Sequence, residues 1–253
     1  GPGQPGGARW TSHAPPVRLV RPGRRLGLHR HPAARRRVPA RSRDRRGGGS
    51  DRRGASDPRP PVSLPAGALG ELQLRRVTPR DSSLWNELIE RHHYLGYKPL
   101  PGAQIRYLVF AGPHLLAALG FGASAWKVAP RDKFIGWSDQ ERVRNLNLVV
   151  NNARFLILPW ITSHNLASRI LGAAAKRLGQ DWQDSYGYRP VLLETFVDKT
   201  RFRGTCYRAA NWTCVGSTQG RGKLDRHNRH PLPVKDIFLY PLIKDFRVKL
   251  RAV

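Results

Sequence analysis

Two acidic residues lie in an otherwise apolar run of the 253-residue chain. Glu194 interrupts the run from Leu192 to Val197, and Asp198 follows that run directly. A carboxylate inside a buried strand is costly unless it is paired or functional. Residues four apart share one face of a strand, so the two acids could hold Mg²⁺ or act as a base. An internal salt bridge from Glu194 to a buried arginine such as Arg154 is the equal alternative.

The segment after Asp198 is cationic and contains aromatic residues. Its basic residues stand against a single acid, Asp225, and they are Lys199, Arg201, Arg203, Arg208, Arg221, Lys223, Arg226 and Arg229. Cations pair with phosphates and rings stack on bases, so these arginines with Trp212 and Tyr207 predict a nucleic-acid-binding surface. Residues 219–223 could also bring backbone N–H groups onto a phosphate. A solvated basic loop without a ligand is the alternative.

Histidine and tyrosine side chains add further candidates. His92 and His93, beside Tyr94 at the end of a predicted helix, could supply a general base or a phosphate contact. Either histidine could instead cap the helix carbonyls. Tyr207 or Tyr94 could attack DNA as a covalent nucleophile, although a lone tyrosine more often belongs to the core.

Two more places could receive a ligand. One is a break in a predicted strand, at Asn151, Asn152 and Arg154. A ligand could approach the sheet there, or these side chains could instead form hydrogen bonds with the backbone groups of the splayed strands. Ser163 and His164 precede a predicted helix, whose N-terminus could receive a phosphate.

Charge and composition favour a polyanionic partner. The net charge is +28, and residues 1–60 contribute 16 arginines, no lysine and three acids, with ten glycines and nine prolines. Because this stretch cannot bury a core, we predict a disordered extension over residues 1–61. It could tether DNA nonspecifically, or it could be translated sequence upstream of the true start. The remaining residues still carry +15, which predicts attraction to DNA.

The sequence shows neither a metal motif nor a membrane span. Cys206 and Cys214 form no zinc pattern and no CxxC redox motif. No apolar run reaches the about 18 residues that a span needs, and the N-terminus lacks the apolar region of a secretory signal. We therefore expect a cytoplasmic, nucleoid-associated protein.

Hydrophobic periodicity predicts the order βαββ, a polar excursion over residues 127–145, and then βαβαββ. Strands are predicted near residues 70–74, 106–110, 115–121, 146–158, 191–197, 212–217 and 236–240, and helices near 81–95, 163–178 and 202–211. This alternation favours an α/β or α+β domain over residues 62–253, with a mixed sheet and helices on its faces.

Four stretches resemble the DruA-like family: Arg91–Tyr97, Val149–Trp160, Leu193–Asp198 and Arg203–Trp212. The resemblance covers residues 70–245. The family takes its name from a component of the Druantia anti-phage systems, and its members also accompany insertion sequences. It implies a DNA-directed role with other defence or transposon proteins as partners, without supplying a reaction.

A more distant likeness is to GNAT-type folds, especially the phage Mom-like proteins that modify adenine in DNA. It rests on Asp198, Gly204, Tyr207, Ala209, Asn211, Gly216 and Thr218. GNAT enzymes usually hold the coenzyme A pyrophosphate on a glycine-rich turn that opens the central helix. The equivalent turn, residues 161–167, has no glycine, which argues against coenzyme A.

Two functions are therefore expected. The first is a DNA-binding module of an anti-phage or transposon-associated system, with a basic groove formed by the segment after Asp198 and the end of the first helix. The second is an enzyme acting on DNA, either a Mg²⁺-dependent nuclease or strand transferase that uses Glu194 and Asp198, or a Mom-like transferase to a base. An acyltransferase acting on a small amine is a weaker third hypothesis.

Overall fold

The computed structural model describes residues 54, 56–63, 65, 70–220 and 232–252. Residues 1–53, and with them most of the predicted disordered extension, lie outside this part of the chain. Four residues of the predicted nucleic-acid surface also lie outside it, namely Arg221, Lys223, Arg226 and Arg229.

The described residues form nine strands and six α-helices. In chain order they are β1 (Val62–Ser63), β2 (Gln73–Arg76), α1 (Ser82–His92), β3 (Gln104–Ala111), β4 (His114–Ala123), α2 (Ala129–Ile135), α3 (Asp139–Asn145), β5 (Val149–Ile157), β6 (Ile161–Thr162), α4 (Leu166–Tyr186), β7 (Leu192–Asp198), α5 (Thr205–Ala209), β8 (Thr213–Ser217), β9 (Lys235–Pro241) and α6 (Phe246–Leu250). None of the helices in the described part of the chain is long and apolar enough to cross a membrane.

Seven strands form one mixed sheet in the order β2-β3-β4-β5-β7-β9-β8. Neighbouring strands are antiparallel except β5 and β7, which run parallel because α4 returns the chain to the same end of the sheet. β1 and β6 form a separate two-stranded parallel sheet. The predicted mixed sheet flanked by helices is therefore confirmed.

Helices α1 and α4 cover opposite faces of the sheet. A Cβ atom added to Gly120 of β4 would lie 3.0 Å from the Trp85 ring of α1. Tyr107 of β3 instead donates a hydrogen bond of 2.7 Å to Asp181 of α4. Gly120 pairs with Arg106, the neighbour of Tyr107. Since successive strand residues point to opposite faces, the two helices lie on different sides.

Helix α4 forms where its apolar stripe predicts it. Ile170, Ala174 and Leu178 recur at four-residue spacing and are fully buried. Each fully buried Leu or Ile side chain contributes about 1.5–3 kcal/mol to folding. The helix ends at Gly187, whose φ of 79° lies in the left-handed region that favours glycine.

Two further helices occupy residues 127–145, where only a polar excursion is predicted. Pro130 lies in the first turn of α2, where its missing N–H costs no hydrogen bond. Ser138 and Glu141 form a reciprocal capping box that begins α3. Each of these short helices buries only one side. Their sequences are therefore mostly polar and show no hydrophobic period from which a helix could be predicted.

Strand β5 continues through the predicted break at Asn151 and Asn152. Gly120 pairs with Arg154 and Phe121 with Asn152, so Ala153 is the extra residue of a β-bulge. β5 and β7 pair only from Val149 to Asn151, and the strands separate beyond that point. The structure thus contains both features that the Asn-Asn break indicates, a bulge and a splayed strand pair.

Candidate nucleic-acid interface

Aromatic and cationic side chains meet where α1 ends. The Tyr94 ring stacks on His93 with centroids 4.9 Å apart and meets the Phe202 ring edge-on at 5.3 Å. The Arg201 guanidinium carbon lies 5.3 Å from the centre of the Tyr94 ring. Asp198 and Arg154 interact electrostatically with Tyr94 from β7 and β5. We call these six residues the Tyr94 cluster, and it joins the two segments from which we predicted a basic groove.

His93 is a neutral hydrogen-bond donor in this cluster. Burial and the Arg154 charge lower the pKa of His93 to about 4. The Leu95 backbone N–H donates to His93 Nδ1 over 3.2 Å, so the ring proton belongs on Nε2. With the lone pair engaged and the pKa depressed, the ring is a poor general base and presents an N–H instead.

Arg154 lacks a carboxylate partner. Its guanidinium donates to the Ala153 carbonyl over 2.8 Å, and no acidic side chain in the described chain forms an ion pair with it. Its Nε atom is buried without a hydrogen-bond partner. Burial lowers the pKa of Arg154, which shows that the surroundings disfavour its charge.

Asp198 stabilises the turn that follows β7. Its Oδ1 accepts hydrogen bonds from the Thr200 N–H over 2.9 Å and from the Thr200 hydroxyl over 2.6 Å. These bonds lower the pKa of Asp198, with smaller contributions from Lys235 and Arg201. The carboxylate is therefore ionised and fixes the start of the segment that carries Arg201.

All five residues of that segment from Lys199 to Arg203 are exposed. Phe202 is 49% exposed, and neither Arg201 nor Arg203 forms an ion pair among the described residues. Arg208 donates to the Arg203 carbonyl over 2.7 Å and lies over the Phe238 ring. The sequence reading missed Phe202, although an aromatic residue between two arginines is a usable signal.

The two aromatic residues predicted to stack on bases are buried instead. Trp212 is 4% and Tyr207 is 7% exposed, and their ring centroids lie 5.1 Å apart. The Tyr207 hydroxyl donates to Asn152 Oδ1 over 2.9 Å, between the splayed strands. Burial raises the pKa of Tyr207. Neither ring is accessible to a base, and a buried phenol with a raised pKa does not fit a nucleophile.

Glu194 forms a buried ion pair. Its Oε2 accepts from Arg131 Nη1 over 2.8 Å, its Oε1 accepts from the Ala125 N–H over 2.8 Å, and both side chains of the pair are 0% exposed. Burial raises the pKa of Glu194, while the Arg131 charge and the Ala125 hydrogen bond act to lower it. The salt-bridge alternative is thus present in the structure, but the partner is Arg131 rather than Arg154.

Further ion pairs connect this buried pair to the surface. Arg131 also contacts Asp132 over 2.9 Å. Arg142 lies 3.6 Å from Asp132 and 2.6 Å from Asp139, whose side chain is 75% exposed. Charges of alternating sign therefore run from β7 through α2 to the start of α3.

The carboxylates of Glu194 and Asp198 are not placed to share one Mg²⁺ ion. Four residues along a strand separate their Cα atoms by about 13 Å, whereas both oxygens would have to lie about 2 Å from the metal. Among the described residues, no group of three or more His, Cys, Asp or Glu side chains could hold a metal ion.

The remaining predicted site residues are His92, the two asparagines of β5, and the residues before α4. His92 shares a hydrogen bond of 3.0 Å with the Ser56 carbonyl. Asn152 donates to the Gly120 and Arg154 carbonyls and so satisfies backbone groups beside the bulge. Ser163 Oγ and Asn151 Oδ1 are buried without a partner. No contact between described residues joins Ser163 or the exposed His164 to the Tyr94 cluster.

The turn before α4 does not fit the coenzyme A pyrophosphate. Residues 161–167 all carry side chains, and Asn165 occupies a left-handed conformation with a φ of 57°. Ile161 and Thr162 are already paired with β1. A pyrophosphate approaching this helix N-terminus would therefore meet side chains rather than the backbone of a glycine-rich turn.

The fold and this site define a mixed α/β protein with a cationic, partly aromatic surface. The family model of Druantia protein DruA matches residues 30–230, and the chain belongs to that family. The match begins upstream of the predicted domain boundary at residue 62.

Solved structures with a similar fold are acetyltransferases. The spermidine/spermine N-acetyltransferase SpeG from Vibrio cholerae is 10% identical, with a TM-score of 0.43, and the alignment covers 68% of this chain and 93% of that chain. The ribosomal-protein-S18-alanine N-acetyltransferase from Escherichia coli is 8% identical, with a TM-score of 0.41, covering 68% and 94%. A comparison with curated protein sequences gives no match.

Proposed function

We propose that this protein is a nucleic-acid-binding component of a Druantia-type anti-phage system or of a transposon-associated system. Membership of the Druantia protein DruA family suggests the defence role. The observation that carries nucleic-acid binding is the exposed segment with Arg201, Phe202 and Arg203, in which neither arginine forms an ion pair with a carboxylate of the described chain. Binding to DNA would place the protein on the nucleoid.

The chemistry of this segment suits a single strand or an opened duplex. Arg201 and Arg203 offer permanent positive charges for phosphates, and Phe202 offers a ring on which one base can stack. Tyr94 lies beneath Arg201 and limits the conformations of its guanidinium. Arg221, Lys223, Arg226 and Arg229 remain predicted contacts, since they lie outside the described residues.

Salt dependence tests the proposal. Fluorescence anisotropy of the full chain with labelled oligonucleotides should give a log–log slope of about −5 for double-stranded and about −4 for single-stranded DNA if six phosphates are contacted. The double variant Arg201→Ala/Arg203→Ala should bind more weakly, and its slope should be shallower by about 2 units.

The matched control removes two charges elsewhere. Arg80 and Arg144 are exposed residues in a turn and in α3. The variant Arg80→Ala/Arg144→Ala has the same net charge as the test variant, so it should keep a slope close to that of the wild type. If both double variants lose affinity equally, binding reflects net charge alone, and the proposed interface is wrong.

A further inference from the structure

Arg154 is a half-buried cation that no acid of the described residues neutralises. Its described hydrogen bond goes to the adjacent Ala153 carbonyl, and its Nε atom is buried without an acceptor. Taking a charge out of water costs several kcal/mol unless a counter-ion or hydrogen bonds compensate for it. The chain supplies carboxylate partners to Arg131, a fully buried arginine, through Glu194 and Asp132.

Two other members of the Tyr94 cluster, His93 and Arg201, are a hydrogen-bond donor and a cation. His93 presents its Nε2–H, since the Leu95 N–H occupies Nδ1. The Arg201 guanidinium lies over the Tyr94 ring, and both Arg201 and Arg154 interact electrostatically with Tyr94. Asp198 is the acid nearest to Tyr94, and its Oδ1 is engaged by Thr200. No acid of the described residues pairs with Arg154, so a group that accepts hydrogen bonds and carries negative charge would compensate its charge.

We propose that Arg154, His93 and Arg201 together bind one phosphate group of a nucleic-acid strand. The Arg154 guanidinium offers N–H donors and a positive charge to the phosphate oxygens, and His93 offers a further donor. Phe202 lies beside the same cluster, so a base next to the bound phosphate can stack on its ring. This inference rests on the proposed nucleic-acid binding and specifies how one phosphate is held.

The His93 ring reports directly on phosphate binding. The Arg154 charge helps to keep the pKa of His93 at about 4, and a bound anion offsets that charge. The charged and aromatic groups that interact with the ring are Arg154 from β5 and Tyr94, which stacks on it. Arg201 and Asp198 interact in turn with Tyr94. Inorganic phosphate is a monoanion near pH 5, like a phosphodiester, so it is a suitable probe.

The first experiment is an NMR titration of the full chain with its histidine rings labelled. Inorganic phosphate should raise the pKa of His93 above the value measured in sodium chloride of equal ionic strength. Arg154→Gln should raise it without phosphate and should abolish the further rise. An unchanged His93 titration in phosphate would overturn the inference.

The second experiment measures oligonucleotide binding by Arg154→Gln. Loss of a charge-assisted contact should weaken binding about tenfold or more, with Arg144→Gln as the exposed control. If the loss requires a terminal phosphate on the oligonucleotide, the bound group is a monoester, and if not, it is a backbone diester. Either result supports the site, whereas unaltered affinity contradicts it.

Thermal unfolding separates a binding role from a structural one. Arg154→Gln removes an uncompensated charge, so its Tm should equal or exceed that of the wild type. A lower Tm together with unaltered phosphate binding would assign Arg154 a structural role and overturn the inference. If oligonucleotide binding is the same with and without Arg154, the proposed phosphate site is wrong and the proposed nucleic-acid binding is still supported. If phosphate raises the pKa of His93 but no oligonucleotide binds, the proposed nucleic-acid binding is wrong and the phosphate site is still supported.

Discussion

Replacing Arg131 by methionine isolates the role of its charge in folding. Arg131 and Glu194 are both fully buried and lie 2.8 Å apart. In the variant, Glu194 keeps only the Ala125 hydrogen bond, so it should fold in the protonated form. The ordinary pKa of this carboxyl is 4.5. Keeping it protonated at pH 7 costs about 1.4 kcal/mol for each pH unit above that pKa, or roughly 3 kcal/mol in all. This value agrees with the about 3–5 kcal/mol expected for a broken buried pair.

The pH dependence of this loss identifies its cause. Without Arg131, the folded-state pKa of Glu194 rises further above its unfolded value, so the folded variant binds an extra proton. Its stability is then present at low pH and is lost as the pH rises through that pKa. The deficit relative to the wild type should therefore shrink on acidification below pH 7, by up to about 1.4 kcal/mol per pH unit.

Urea unfolding at several pH values between 5 and 8, followed by tryptophan fluorescence, measures the deficit. Arg106→Met is the matched control, because Arg106 donates to the neutral side chains of Asn86 and Ser82 over 2.9 and 3.1 Å. Its deficit should not change with pH. A deficit for Arg131→Met that is equally constant would refute the assignment of the loss to the Glu194 charge.

Three other changes have distinct expected outcomes. Phe202→Ala should weaken oligonucleotide binding by about 1–3 kcal/mol without altering urea unfolding, whereas Trp212→Ala should lower the free energy of unfolding by about 3–5 kcal/mol, because its ring is buried. The opposite pattern in anisotropy and urea titrations would reverse these assignments. Asp198→Asn should lower Tm at neutral pH. The Tm values of variant and wild type should converge on acidification, because a carboxyl with a lowered pKa loses its contribution to stability as the pH falls through its folded-state pKa. A Tm difference that persists in acid would assign the effect to something other than charge. Gly204→Ala should destabilise the fold by about 1–3 kcal/mol, since a Cβ would lie 2.6 Å from the Phe238 ring at a φ of 66°; an unchanged urea midpoint would show that this ring moves freely.

Long elements with a clear hydrophobic period could be predicted from the sequence. α1 and α4 bury residues at three- and four-residue spacing, as in Trp85, Leu88 and Ile89 of α1. α2 and α3 were not predicted, because each has seven residues and buries only two side chains or fewer. Their capping residues, Pro130 and Ser138 with Glu141, were the available signals.

The candidate site was predictable in its composition but not in its pairings. A glutamate in an apolar strand indicated a compensated charge, and the structure contains one. Its partner Arg131 is 63 residues earlier in the chain, and nothing local distinguishes it from Arg154. Likewise, Trp212 and Phe202 are both aromatic residues among arginines, and only the tertiary packing decides which ring is buried.

The buried pair between α2 and β7 also constrains the order in which the protein folds. A helix of seven residues is unstable alone in water, since isolated helices shorter than about 12–15 residues are marginal. Arg131 gains its counter-ion only after Glu194 has entered the sheet, which requires the β5–α4–β7 crossover. Helix α2 should therefore acquire hydrogen-exchange protection after the central strands, late in refolding.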